Sequence, residues 1–151
     1  FRSPVVTGQS AGGPVALRLA TALAEAVAWV EAQGIPRGDV AQSLAAQGIA
    51  GEGTGRAGAE DETARRCIAA LANEGARLVA EGVAPTAAHV DAVALAAGLM
   101  ARWTGGPMHR ANRRGLMVLR RDLRLWEAEN PALWSPAPLI DAVIAEGRGF
   151  I

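Results

Sequence analysis

Two stretches of the sequence, residues 30–36 and 78–85, carry the same pattern of apolar residues, a glycine and a proline about 48 to 50 residues apart. Each follows a long segment in which apolar residues recur every three or four positions, the period of an amphipathic helix. Glycine commonly ends a helix, and proline suits the first turn of the next one. Repetition at this spacing predicts two related helical hairpins.

The same period predicts the individual helices. The first two are expected over residues 14–34 and 39–47, and the second pair over 61–82 and 87–100, with Thr86 as the N-cap of the last. A tight turn is expected over 102–108, then a helix carrying Leu116, Leu119, Leu123 and Trp126, and a short one over 139–145. Only residues 4–7 read as extended. The predicted fold class is therefore all-α, a helical bundle with a short extended segment at its N-terminus.

The best internal boundary is the glycine-rich stretch 48–60, which has the composition of a flexible linker. It divides a first, abbreviated helical repeat at 14–47 from a second repeat at 61–151.

Composition excludes several classes of protein. Half of the residues are hydrophobic and a fifth are charged, which is too apolar for a disordered chain. Fifteen basic and fifteen acidic side chains leave no net charge to draw the molecule to nucleic acid or to an anionic membrane. No apolar run reaches the roughly 20 residues of a membrane-spanning helix, and no signal peptide is expected at the start of the chain. With the single cysteine Cys67, disulfide dependence is excluded and a cytoplasmic location is expected.

Few side chains have the spacing that chemistry needs. His89 and His109 are not at metal-ligand spacing, so no metal site is predicted. His89 is expected in the first turn of a helix, and Cys67 is expected in the core rather than as a reactive thiol. Glu74 and Arg77, one turn apart, are expected to form an ion pair on their helix rather than to act as acid and base.

The densest charge feature is a set of seven arginines with one acid, Asp122, among them: Arg102, Arg110, Arg113, Arg114, Arg120, Arg121 and Arg124. These arginines could meet the phosphates of nucleic acid or of coenzyme A. They could equally form a solvated helix face. A third interpretation is one side of an interface whose acids are Glu60, Asp61, Glu62 and Glu74.

Several motifs together resemble a known family. They are residues 73–84, 89–91, 102–108 (Arg-Trp-Thr-Gly-Gly-Pro-Met), 133–140 and 146–150. The sequence resembles the C-terminal helical region of 3-hydroxyacyl-CoA dehydrogenase, as found in the multifunctional fatty-acid β-oxidation enzymes. The resemblance covers residues 61–150 and implies a bundle like the C-terminal domain of 6-phosphogluconate dehydrogenase.

The front of the chain is similar to the same family more loosely. Residues 4–8 resemble the end of its dinucleotide-binding domain, so 1–13 is expected to be the end of that domain or a linker. Residues 13–19 resemble the Gly-Phe-Val-Gly-Asn-Arg-Leu segment that opens the first helical repeat. Where the family has an asparagine near the substrate carbonyl, this sequence has Leu17, whose side chain forms no hydrogen bond. No catalytic residue is therefore predicted in this chain.

The resemblance implies NAD-dependent oxidation of L-3-hydroxyacyl-CoA to 3-oxoacyl-CoA in fatty-acid β-oxidation. It places the catalytic His/Glu pair and NAD in the preceding dinucleotide-binding domain, and no cofactor in this chain. The helical region would frame the acyl-CoA cleft and a domain or dimer interface. The implied candidates on the CoA side are Arg18, Arg102, Gly105 and Gly106.

The partners implied are the dinucleotide-binding domain of the same parent chain, the acyl-CoA substrate and a second copy of the chain in a homodimer. Neither a membrane nor nucleic acid is expected as a partner, and the isolated chain is not expected to be active. The alternative is a scaffold or protein-interaction module that has kept the fold and lost the chemistry, which Leu17 and the shortened first repeat favour. A nucleic-acid binder built on the arginines would show strongly salt-dependent affinity.

Overall fold

The computed structural model describes residues 13–49 and 61–150, and all the regular secondary structure in these ranges is helical. The predicted all-α bundle is confirmed. The only pairing of extended backbone among these residues is one antiparallel bridge between Ile49 and Met100. The extended segment predicted over 4–7 and most of the predicted linker lie outside the described residues.

Eight α-helices and one short 3₁₀ turn follow one another along the described chain. They are α1 (Gly13–Ala32), α2 (Arg37–Ala46), α3 (Glu62–Ala80), α4 (Ala87–Ala96), the 3₁₀ turn (Arg102–Thr104), α5 (Pro107–Arg114), α6 (Leu116–Trp126), α7 (Pro131–Trp134) and α8 (Pro138–Ala145).

The α1–α2 and α3–α4 hairpins end in the same way. Gly48 after α2 and Gly98 after α4 have φ angles of 74° and 76°, in the left-handed region that glycine adopts without strain. The next backbone N–H then bonds back into the helix, from Ile49 to the Leu44 carbonyl at 2.9 Å and from Leu99 to that of Ala94 at 3.0 Å. Because Gly98 turns the backbone, α4 stops at Ala96 rather than at the predicted residue 100.

Two residues that the sequence assigned to the linker belong to the packed structure. Gly48 and Ile49 are buried, and the Gly48 carbonyl accepts a 2.7 Å hydrogen bond from the N–H of Ala101. A Cβ at position 48 would lie 2.8 Å from the ring of Trp103. The end of the first hairpin is therefore fixed against the end of the second.

Helix α3 is the centre of the bundle and contacts each of the other seven α-helices. Small residues let its neighbours approach closely: Ala64, Ala70, Ala72 and Ala76 are fully buried. At Gly75 a Cβ would lie only 2.6 Å from the sulfur of Met108 on α5. Alanine and glycine along α3 thus set the distances at which α1, α4 and α5 pack.

Asn73 is the fully buried polar side chain of α3. Its amide nitrogen donates to the carbonyls of Leu133 at 3.1 Å and Ser135 at 2.7 Å, and its oxygen accepts from the N–H of Ala137 at 2.8 Å. The turn between α7 and α8 would otherwise bury unsatisfied backbone groups. One side chain therefore holds this turn on α3.

We expect Asn73→Ala to lower the free energy of unfolding by about 2–4 kcal/mol, because it leaves buried backbone groups without partners. Urea denaturation followed by circular dichroism measures the change. Gln33→Ala is the control, since that side chain is exposed just after α1 and donates to the Trp29 carbonyl of that helix; it should change stability by less than about 0.5 kcal/mol. Equal stabilities for the two variants would contradict the assigned role of Asn73.

Candidate functional site

The turn between the 3₁₀ segment and α5 contains two of the predicted site residues, Gly105 and Gly106. Their φ angles are 80° and 99°, a region open to glycine and strained for other residues. Thr104 fixes the turn from before: its hydroxyl donates to the Ala101 carbonyl at 2.6 Å and accepts from the N–H of Gly106 at 3.2 Å. Pro107 then occupies the first position of α5.

A buried carboxylate on α4 caps the start of α5. Asp91 accepts hydrogen bonds from the backbone N–H groups of Met108 at 2.7 Å and His109 at 3.0 Å. These are among the first N–H groups of α5, which have no partner inside that helix. A Cβ on Gly106 would lie 2.5 Å from the Asp91 carboxylate oxygen, so only glycine lets the carboxylate reach them.

Burial raises the pKa of Asp91 from 3.8 to about 6, because desolvation disfavours the charged form. The hydrogen bonds from Met108 and His109 favour the carboxylate and oppose this shift without cancelling it. Asp91 therefore binds its proton more tightly in the folded chain than in the unfolded one.

We expect Gly106→Ala to destabilise the fold by about 3 kcal/mol or more, through backbone strain together with the clash with Asp91. Gly147→Ala is the matched control: Gly147 also has a positive φ, 70°, but a Cβ there would meet nothing within 4 Å. It should cost only the backbone strain, about 1–2 kcal/mol. Thermal unfolding of both variants makes the comparison, and equal losses would show that the Asp91 contact is unimportant.

Asp91 also has a defined effect on the pH dependence of stability. A carboxyl whose pKa is higher in the folded state contributes stability below its unfolded pKa and loses it as pH rises through the folded value of about 6. We expect the unfolding free energy of the natural chain, relative to that of Asp91→Asn, to fall by about 1–3 kcal/mol between pH 4 and pH 7. Urea titrations of both proteins across that range measure this, and parallel pH profiles would contradict it.

Arg18, predicted on the CoA side, lies on the α1–α3 surface between two carboxylates. Its Nε is 2.7 Å from Glu74, and its Nη atoms are 2.6 Å and 3.1 Å from Glu81. The hydrogen bond to Glu81 raises the pKa of Arg18 further above its usual value and lowers that of Glu81. Arg77 bonds the other oxygen of Glu74 at 3.3 Å, which confirms the predicted Glu74–Arg77 pair. An incoming phosphate would have to compete with these carboxylates for Arg18.

Leu17 lies beside this cluster with 65% of its surface exposed. It lines an open groove of about 270 Å³ between α1, α3 and α7, whose walls also include Thr21, Ala70 and Leu133. The groove has apolar surface next to the charged side chains of Glu74 and Arg18. The position that the resemblance relates to the family's asparagine therefore faces an accessible groove, but with a side chain that forms no hydrogen bond.

The structure does not bring the four CoA-side candidates together as one contact group. Gly106 lies against Asp91 and Gly105 against His109, whereas the polar contacts of Arg18 within the described ranges are with Glu74 and Glu81. Arg102 is exposed at the start of the 3₁₀ turn. Their assignment to a CoA site stays a prediction.

The arginine cluster is paired mainly with two acids. Asp122 is buried and bonds Arg65 at 2.8 Å and Arg121 at 3.3 Å, while Asp141 bonds Arg120 at 2.9 Å. The acids that the interface interpretation names have other contacts in the described structure. Asp61 caps α3, Glu62 pairs with Arg66 and Glu74 with Arg18, while Glu60 lies outside the described residues.

The remaining titratable candidates have structural positions. Thr86 caps α4 by accepting from the N–H of His89 at 3.1 Å, and His89 is exposed in the first turn, as predicted. Cys67 is fully buried, and burial raises the pKa of its thiol to about 12, which confirms its assignment to the core.

No group of three His, Cys, Asp or Glu side chains that could hold a metal occurs within residues 13–49 and 61–150. In the same ranges no helix combines the length and hydrophobicity needed to cross a membrane.

The capping role of Asp91, which the sequence shows only as part of the motif at 89–91, is not predicted by the local sequence pattern. The available signal was that α5 starts at Gly106-Pro107 with no Ser, Thr, Asp or Asn beside it to cap the helix. A helix start of that kind needs an acceptor from elsewhere in the chain, and a carboxylate on a neighbouring helix can supply it.

Comparison with known proteins finds partial relatives. No family model matches the chain. It is 36% identical to the human peroxisomal bifunctional enzyme over 91 residues, which is 59% of this chain and 13% of that enzyme. The Pongo abelii peroxisomal bifunctional enzyme matches to the same extent, and that of Cavia porcellus is 37% identical over 71 residues, 47% of this chain and 10% of the enzyme. The chain is thus related to a region of these enzymes and spans only a small part of their length.

Proposed function

We propose that this chain is the helical C-terminal region of an NAD-dependent 3-hydroxyacyl-CoA dehydrogenase, of the kind found in multifunctional β-oxidation enzymes. In this proposal it frames the acyl-CoA cleft and a domain or dimer interface, and it supplies no acid or base. The observation that carries the proposal is the similarity to peroxisomal bifunctional enzymes together with the family-like motifs at 89–91 and 102–108. Those motifs form one contact in the fold, between Asp91 and the Gly105-Gly106 turn.

NAD has no place in the proposed role of the described residues. Dinucleotides bind where a glycine-rich turn joins a strand to a helix in a parallel sheet, and residues 13–49 and 61–150 form helices with one isolated bridge. We assign NAD, when bound, to a dinucleotide-binding domain of the parent chain, where it would accept the hydride. This chain would contribute part of the substrate cleft, because the groove at Leu17 would receive part of the substrate.

The groove favours apolar contact over phosphate binding. Arg18 and Arg77 are held by Glu74 and Glu81, so their positive charge is already balanced. The exposed side chain of Leu17 is then suited to an acyl or pantetheine segment rather than to the phosphates of CoA. The location of the protein is a separate question. We keep the cytoplasm as a proposal, whereas the relatives are named as peroxisomal enzymes.

The alternative function is a scaffold or protein-interaction module with this fold. The specific observation in its favour is Leu17, because a leucine at the family's asparagine position offers the substrate carbonyl no hydrogen bond. The two proposals differ in whether the groove binds a thioester ligand at all.

A titration of the uniformly labelled chain with acetoacetyl-CoA, followed by NMR, tests the proposal. We expect chemical-shift changes at backbone amides around Leu17, Thr21 and Leu133, and we expect Leu17→Glu to remove them, because a carboxylate would place charge in an apolar contact. Met117→Gln is the control, since Met117 is exposed on α6 outside this groove.

Unchanged spectra up to millimolar ligand would favour the scaffold. A second readout uses the same protein: with NAD and 3-hydroxybutyryl-CoA, the chain alone should form no NADH. Measurable NADH formation would contradict the assignment of the chemistry to another domain.

A further inference from the structure

Two consecutive helices, α5 and α6, carry exposed residues at intervals of four. These are His109, Arg113, Met117, Arg121 and Leu125, and the first three line one hollow. We call this set the α5–α6 face. Met117, between Arg113 and Arg121 in this series, is 64% exposed, and Leu125 at its end is 68% exposed.

The chain bends between the two helices. Gly115, with a φ of 110°, ends α5 and begins α6, which turns the chain there. An open hollow of about 550 Å³ lies at the bend, with Arg113, Leu116 and Met117 on one side and Ile144 and Arg148 on the other. The opposite wall is held in place because the Asn112 side chain accepts a 2.8 Å hydrogen bond from the N–H of Phe150.

The charge of the face is positive. Arg113 forms no hydrogen bond or ion pair with another residue in the described ranges. Arg121 has a side chain that is 68% exposed, and its contact is a 3.3 Å bond to Asp122, a carboxylate already bonded to Arg65. The nearby acid Glu146 bonds Arg148. The hollow therefore combines the apolar side chains of Leu116, Met117 and Ile144 with the Arg113 guanidinium, which can bind a carboxylate.

We propose that the α5–α6 face is a docking surface for an acidic segment of a protein partner that places one large apolar side chain in the hollow. Charge complementarity selects the acidic residues, and the flexible Met117 adapts to the apolar one. This proposal does not depend on the proposed enzymatic function, because it concerns a different surface from the Leu17 groove.

The same observations disfavour other occupants. A second copy using this same face would bring arginine against arginine. A membrane would need a continuous apolar stripe, whereas Arg121 separates Met117 from Leu125. Single-stranded nucleic acid binds through aromatic stacking, and the five residues of the face include no Phe, Tyr or Trp.

Fluorescence anisotropy tests the proposal with the full chain and a labelled helical peptide built from Glu, Leu and Ala, with the glutamates one turn apart. We expect binding that weakens as salt is added and that falls roughly tenfold in Arg113→Glu. Met117→Gln should weaken it as well, through loss of apolar contact. Arg37→Glu is the matched control: it makes the same change in net charge at an arginine that is 89% exposed on α2, and it should leave binding unchanged.

Three companion measurements carry the results that would overturn the proposal. In the first, a peptide with lysine in place of glutamate would bind as tightly as the acidic peptide. In the second, the chain would bind anionic phospholipid vesicles or an oligouridylate more tightly than the acidic peptide. In the third, light scattering would show concentration-dependent self-association through this face. Equal peptide affinity of Arg113→Glu and Arg37→Glu would also overturn it. Circular dichroism of each variant confirms that the fold is retained, which is expected because all the substituted side chains are exposed.

Discussion

The near-complete burial of α3 is the constraint on which the rest of the structure depends. A helix surrounded by other helices places polar groups where each needs a partner inside the protein. Within the described residues, Nη1 of Arg66 and Nε of Arg65 are buried without a hydrogen-bond partner. Arg66 is the extreme case: its guanidinium lies 4.5 Å from the ring centroid of Trp29, 4.7 Å from that of Trp126 and 5.0 Å from that of Trp134. Its Nε bonds Glu62 at 2.9 Å, and Trp134 donates its indole N–H to the Arg66 carbonyl at 3.1 Å. Three tryptophans and one cation thus join α1, α6 and α7 to one point of α3.

The two hairpins form one folding unit for a related reason. Both end in a left-handed glycine, and the chain segments that leave them pair through Ile49 and Met100. Gly48 is also the position against which the Trp103 ring packs. The residues of the 3₁₀ turn, and with them the Gly105-Gly106 turn, are therefore positioned by the first hairpin as well as by α4. A substitution at Gly48 should disturb the start of α5 although α2 and α5 are distant in sequence.

Sequence reasoning predicted the helices well because their determinants are local. The apolar period, Thr86 as N-cap and the glycines after α1 and α3 are all read within a few residues of the helix ends. It overextended α4 by reading past Gly98, and it gave Gly48 and Ile49 to the linker because their burial depends on Trp103 and Met100. The site was less predictable. Partners such as Asp91 with the start of α5 are set by tertiary packing, which a local pattern does not encode.

Shared residues that are needed for folding differ from shared residues that are needed for substrate binding. Two of the motif residues, Asp91 and Gly106, have a structural explanation as a helix cap and the glycine that admits it. Gly105 has a φ of 80°, and a Cβ there would meet the His109 ring. A chain that had lost the chemistry would still need them to fold. Position 17 is different, because Leu17 is 65% exposed and lines an open groove. Binding of a thioester in the groove at Leu17 therefore tests the enzymatic proposal more directly than the shared glycines do.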